Sequence, residues 1–148
     1  MAVLLMFCGC ATPSSSFFAG SWSGESQFAS GQKTKLVWTV KSCGADCLSG
    51  ESAAEALKIS AKDQWRREGD QFARDYSDSE GTKGTLHSSG WKDGVWIWEG
   101  EIIGGDGSKL MLRETITRLD ARTFRAKYES REGDAWVPVS EETMKRDD

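Results

Sequence analysis

Apolar and polar residues alternate with a period of two along most of this chain. Leu36, Trp38 and Val40 fall on one face of their segment, with Val37, Thr39 and Lys41 on the other. Trp96 and Trp98 share a face opposite Val95, Ile97 and Glu99, and Phe124, Ala126 and Tyr128 oppose Arg125, Lys127 and Glu129. Leu110, Leu112 and Ile116 also fall together, with Glu114 in the same phase. Alternation with one apolar face marks half-buried antiparallel strands. Turn signals rich in Gly and Asp punctuate the segments at 29–32, 43–46, 68–70, 80–84, 92–94, 104–107, 119–121 and 131–134. Glycine supplies the positive φ such turns need, and Asp bonds its own backbone. Short strands at this even spacing predict an all-β sandwich or barrel. Helical spacing surfaces only over 52–61, where Ala53, Ala54, Ala56 and Leu57 also fit one or two turns of helix. The pattern leaves that stretch undecided.

A long antiparallel up-and-down meander has exposed edges, and closure into a barrel removes them. The expected fold is therefore a barrel of about eight to ten strands, wide enough to be filled by side chains or to hold one small ligand. At 148 residues the chain has room for one such domain, placed at 17–148 behind a leading segment at 1–16. The formal charge is −4 with no basic block, which argues against a nucleic-acid partner. His87 is the one histidine, so a histidine-rich metal site or a Ser/His/Asp triad is not expected, and neither a metal nor a cofactor is assigned.

The leading segment reads Ala-Val-Leu-Leu-Met-Phe over 2–7, then Cys8-Gly9-Cys10-Ala11 and a polar Thr-Pro-Ser tract. An apolar stretch, small residues and a linker have the layout of an export signal. The basic region that opens such signals is missing, as if the start lay within a longer one. Gly9 before Cys10 resembles a bacterial lipoprotein lipobox, which implies lipidation at Cys10. Cys8, directly after Phe7, fits worse. Simple cleavage after Ala11 or Ala19, or a buried apolar strand, are the competing readings. Export implies the bacterial cell envelope, periplasmic or lipid-anchored, with membrane contact only through the anchor. In an oxidising compartment Cys43 and Cys47, flanking Gly44-Ala45-Asp46, are expected to form a disulfide.

Gly20-Ser21-Trp22 at the first strand and Arg146 at the last resemble the calycin superfamily of lipocalin-like barrels. The resemblance implies that Trp22 plugs one end of the barrel while Arg146 packs over it, a sensible stacking of guanidinium on indole. The Arg113-to-Asp120 strand and turn, Thr123-Phe124, the Asp134-to-Pro138 hairpin, Glu141 and Lys145-Arg146 resemble a bacterial family of lipocalin-like barrels with no assigned activity. Gly20-Ser21-Trp22-Ser23-Gly24 is also similar to the start of the nitrobindin barrels. Those bind haem through a late histidine, and no histidine follows His87 here, so haem is not expected.

Candidate pocket residues are Trp38, Trp96, Trp98, Arg113, Glu114, Tyr128 and His87. The three tryptophans suit an aromatic pocket wall or plain core, which share one face in a barrel. Arg113 and Glu114 are adjacent, so one of them points inward, and a buried charge needs a partner. His87 suits either a polar contact at a pocket mouth or an exposed strand position. Glu99 and Glu101 share a face and read as the wet side of a hairpin, and the glycines of 104–107 read as a turn. The expected function is an exported, lipid-anchored binding module for a small apolar molecule. The alternative is a structural or interaction protein of the envelope with a filled barrel. No nucleophile, base and orienting group assemble at readable spacing, so an enzyme is not expected.

Overall fold

A computed structural model describes residues 15–148 of the chain. Cys10 and the apolar stretch before it lie outside those residues. The alternating segments become β1 (Gly20–Phe28), β2 (Lys33–Gly44), β3 (Cys47–Ala54), β4 (Ile59–Glu68), β5 (Gln71–Asp78) and β6 (Lys83–Ser88). After a two-residue β7 (Trp91–Lys92) come β8 (Val95–Ile103), β9 (Lys109–Arg118), β10 (Thr123–Glu132) and β11 (Ala135–Arg146). A short 3-10 turn, η1 (Ser15–Phe18), precedes them.

Neighbouring strands pair antiparallel, β6 reaches past β7 to pair with β8, and β7 pairs only with β8. β1 pairs with β11, from Trp22 opposite Arg146 to Phe28 opposite Ser140. That pairing closes a ring of ten strands, with β7 as a short flap on β8. The fold is thus the antiparallel up-and-down barrel that the alternation predicts, at the upper end of the expected strand number. The undecided stretch is strand and turn: β3 runs to Ala54, β4 starts opposite it at Ile59, and Lys58 takes φ +54° in the turn between. A lone helical turn there would carry the cost of nucleation without an apolar stripe long enough to offset it.

The two ends of the barrel differ. At one end η1 tucks inside, with Phe18 fully buried, stacked on Trp91 and packed edge-on against Phe124. Trp22 and Phe124 pack ring to ring, and the Trp22 indole donates to the Phe18 carbonyl at 2.8 Å. The Arg146 guanidinium lies 4.5 Å from the Trp22 ring and donates to the carbonyls of Phe17 and Ala19. Arg146 thereby binds the last strand to the segment before the first and satisfies backbone acceptors that the plug would otherwise bury. Gly20 holds φ +133°, and a Cβ there would sit 2.7 Å from the Arg146 guanidinium, so glycine is required for this approach. At the same end a disulfide joins Cys43 to Cys47 across the β2–β3 turn. Trp65, Trp96 and Trp98 complete a packed aromatic layer beneath the plug.

Candidate functional site

Above that layer the barrel is hollow. A cavity of about 340 Å³ occupies the half facing the turns after β1, β3, β5, β8 and β10. Its wall is largely apolar, with Leu36, Ile59, Ile102 and Leu112 on the strands and Leu57 at the mouth. The interior is therefore not filled throughout, which corrects the expectation of a solid barrel attached to the alternative reading.

The floor of the cavity is polar and built from five strands. Arg74 on β5 donates through Nε to Asp63 Oδ2 on β4 at 3.0 Å, and through Nη1 to Glu114 Oε2 on β9. β5 and β9 are separated by β6 and β8 in the ring, so the Arg74–Glu114 bond spans part of the lumen and ties together strands that do not pair. The Trp65 indole donates to Asp63 Oδ2 at 3.1 Å, and its ring lies 5.0 Å beneath the guanidinium. Gly50 makes room for this arrangement: a Cβ there would lie 2.0 Å from Asp63 Oδ1 and 2.7 Å from the Trp38 indole nitrogen. On the far side the Tyr128 hydroxyl sits 2.8 Å from Glu114 Oε1 and 3.3 Å from Glu142 Oε2. A hydroxyl has one proton to give, and the shorter bond takes it.

Burial and neighbouring charge shift Arg74, Tyr128 and Glu142 from their ordinary pKa values. Burial by itself lowers the affinity of Arg74 for its proton, but Glu114 and then Asp63 reverse that and hold it firmly charged. Burial, reinforced by Glu114 and Glu142, pushes the Tyr128 phenol well up. Burial first and Glu114 second push the Glu142 carboxyl up to about 8. Glu142 is therefore largely protonated at neutral pH and can donate to the Tyr128 oxygen. It is deep in the barrel yet faces the cavity, so solvent entering from the mouth reaches it. Nearer the mouth, Asp78 accepts from the Tyr76 hydroxyl at 3.1 Å and from the Glu80 and Thr82 amides, which fixes the β5–β6 turn.

Of the residues singled out in the sequence, Trp38, Glu114 and Tyr128 line the cavity. Trp96 and Trp98 are fully buried in the aromatic layer below it and do not form its wall. His87 is exposed on the outer face, opposite Glu99, because its neighbours Leu86 and Ser88 take the inward phase. Arg113 also faces outward, since Glu114 points in. It donates to Glu99 at 2.7 Å and covers the Trp136 ring at 4.0 Å. Neither His87 nor Arg113 reaches the cavity, and both assignments to the pocket are corrected. Sequence reasoning missed Asp63, Arg74 and Glu142. Each sits in the inward phase of an otherwise apolar or small-residue alternation: Ile59-Ala61-Asp63-Trp65, Phe72-Arg74-Tyr76 and Ser140-Glu142-Met144. That is the same signal that exposes Glu114. Among the described residues no group of His, Cys, Asp and Glu suits a metal ion.

No family model matches the chain, and no curated protein matches it. Among solved structures it is similar to a redesigned β-barrel at 12% identity, with a TM-score of 0.47 over 93% of this chain and 98% of that one. It is also similar to a redesigned β-barrel, mFAP1, bound to DFHBI, at 12% identity and a TM-score of 0.43, covering 88% of this chain and 95% of the other.

Proposed function

We propose that the barrel is a binding module for a small, mostly apolar molecule that enters at the open end. The cavity carries this reading: it is apolar on its walls, polar on its floor and rigidly framed by strands, the usual form of a small-ligand site. The packed half supplies the rigidity, because its aromatic layer holds the strands that present Asp63, Arg74 and Glu114. The closure by Trp22 and Arg146 supports placing the chain among lipocalin-like barrels. The export reading is retained: lipidation at Cys10 anchors the barrel at the bacterial cell envelope. The Thr-Pro-Ser tract between Cys10 and the barrel supports it, as does a disulfide suited to an oxidising compartment.

Titration with N-phenyl-1-naphthylamine, an uncharged dye that brightens in apolar surroundings, tests the binding reading. The expected result is saturable binding of one dye per chain, lost in Ala54→Trp, which fills the cavity from its wall while leaving the circular dichroism spectrum unchanged. Absence of binding, or equal binding by the variant, overturns it and favours a structural or interaction role. Mass spectrometry of the mature N-terminus tests the anchor: an acylated Cys10 is expected, and an unmodified N-terminus after Ala11 or Ala19 contradicts it.

A further inference from the structure

The charges on the cavity floor do not balance. Asp63 and Glu114 share one guanidinium, that of Arg74, whose Nε and Nη2 go to Asp63 and whose Nη1 goes to Glu114. A third carboxyl, Glu142, has no cation of its own and meets only the Tyr128 hydroxyl, whose proton is already committed to Glu114, so without a ligand cation it avoids an unpaired charge by keeping its own proton. The other charged side chains at the cavity do not correct this. Asp78 is a fourth carboxylate, held by the Tyr76 hydroxyl and two turn amides. Lys62 lies 77% exposed and pairs outward with Glu51. Two further polar atoms on the wall are buried and lack partners among the described residues: the acceptor Asp63 Oδ1, on a side chain 5% exposed, and the hydroxyl Ser26 Oγ, which can donate or accept, on a residue 1% exposed.

Buried acceptors without donors cost stability unless something supplies the donors, and a buried carboxylate requires a cation. Building on the binding function above, we infer that the cavity selects ligands whose polar end is a protonated amine, seated among Glu142, Glu114 and Asp63, with an apolar body against Leu36, Ile59 and Ile102. An ammonium carries three donors and no acceptor, which matches a floor of unfilled acceptors. A carboxylate head would meet the same floor with like charge, and only the Ser26 hydroxyl and a protonated Glu142 could donate to it. An alkali or alkaline-earth ion would leave the apolar wall without a partner and would need more oxygen ligands in close reach than this floor converges. The observations therefore favour an organic cation over an inorganic one and over a fatty acid.

The test uses the full chain and three ligands of one shape: octylamine, octanol and octanoate, each measured by displacement of N-phenyl-1-naphthylamine and by calorimetry at pH 7. The expected order is amine first, alcohol next and acid last, with the amine ahead of the alcohol by about tenfold or more. In Glu142→Gln, which keeps the shape and the Tyr128 contact, the advantage of amine over alcohol is expected to shrink several-fold. Thermal melts confirm that the variant is folded. Should that variant unfold, the wild-type order alone decides. Octanol or octanoate binding as tightly as octylamine overturns the amine inference and leaves the binding function standing. Displacement by none of the three, together with no dye binding, removes both.

Discussion

The two halves of this barrel are made from the same strands and solve opposite problems. Toward η1 the inward positions are mostly aromatic or aliphatic, the rings interlock, and Arg146 sits at the rim over Trp22 with its donors on backbone carbonyls. Toward the opposite mouth the same strands contribute Asp63, Arg74, Glu114, Tyr128 and Glu142, and they leave space. A protein interior normally packs to crystal-like density and shuns ionisable groups. A region that departs from both habits beside one that obeys them reads as a stability half and a binding half.

The largest expected effect lies in the packed half. Trp22→Ala removes a fully buried indole, its bond to the Phe18 carbonyl and the platform under Arg146. It is expected to cost about 3–5 kcal/mol in denaturant unfolding. A loss below about 1 kcal/mol breaks the idea that this half carries the fold. Next comes Arg74→Met in the hollow half. It strands Asp63 and Glu114 without their cation and is expected to cost about 2–4 kcal/mol, softened by water entering the cavity. Dye affinity reports the same variant differently, because the floor is disturbed while the Trp22 end stays intact.

The third prediction concerns pH. Glu142 carries a proton in the folded barrel up to about pH 8, whereas its ordinary value is 4.5. Between those two pH values the folded state binds more protons than the unfolded state, so stability falls as pH rises through that window and levels off above it. The two values set an upper limit on the order of 4 kcal/mol between pH 5 and pH 8.5, and water reaching Glu142 from the mouth lowers the expected decline to about 2 kcal/mol, followed by thermal melts, with a flatter profile in Glu142→Gln. A wild-type profile that rises across this window contradicts the assignment. Smallest is the effect of reducing Cys43–Cys47. So short a loop gives up little chain entropy, and a loss of below about 2 kcal/mol is expected, with dye binding unchanged because the bridge lies at the plugged end.

The two halves were also unequally legible in the sequence. Strand alternation reports which residues point inward, and that is enough for the packed half: Trp96, Trp98 and Phe124 need only be apolar and in phase. Trp22 and Arg146 were legible through the resemblance of Gly20-Ser21-Trp22 and Arg146 to lipocalin-like barrels, strengthened by their place at the two ends of the meander. The floor of the cavity is harder. Glu114 stood out as a charge among Leu110, Leu112 and Ile116, yet its partner Arg74 lies 40 residues away across the lumen, a relation that neighbouring strand registers do not disclose. Asp63 and Glu142 carry the same out-of-pattern signal in strands whose other inward residues, such as Ala61 and Ser140, are too small to make the pattern conspicuous. His87 drew attention by residue type, but its phase between Leu86 and Ser88 already directs it outward.

The central claim is that a small molecule occupies the space above Arg74. Methyl-resolved NMR of the full chain titrated with octylamine tests it most directly. The account predicts saturable shifts at the methyls of Leu36, Ile59, Ile102 and Leu112, with Ile97 and Leu119 on the outside and Leu48 in the packed half unmoved. Shifts confined to the outer methyls, or none at all up to the solubility limit of the amine, would contradict it.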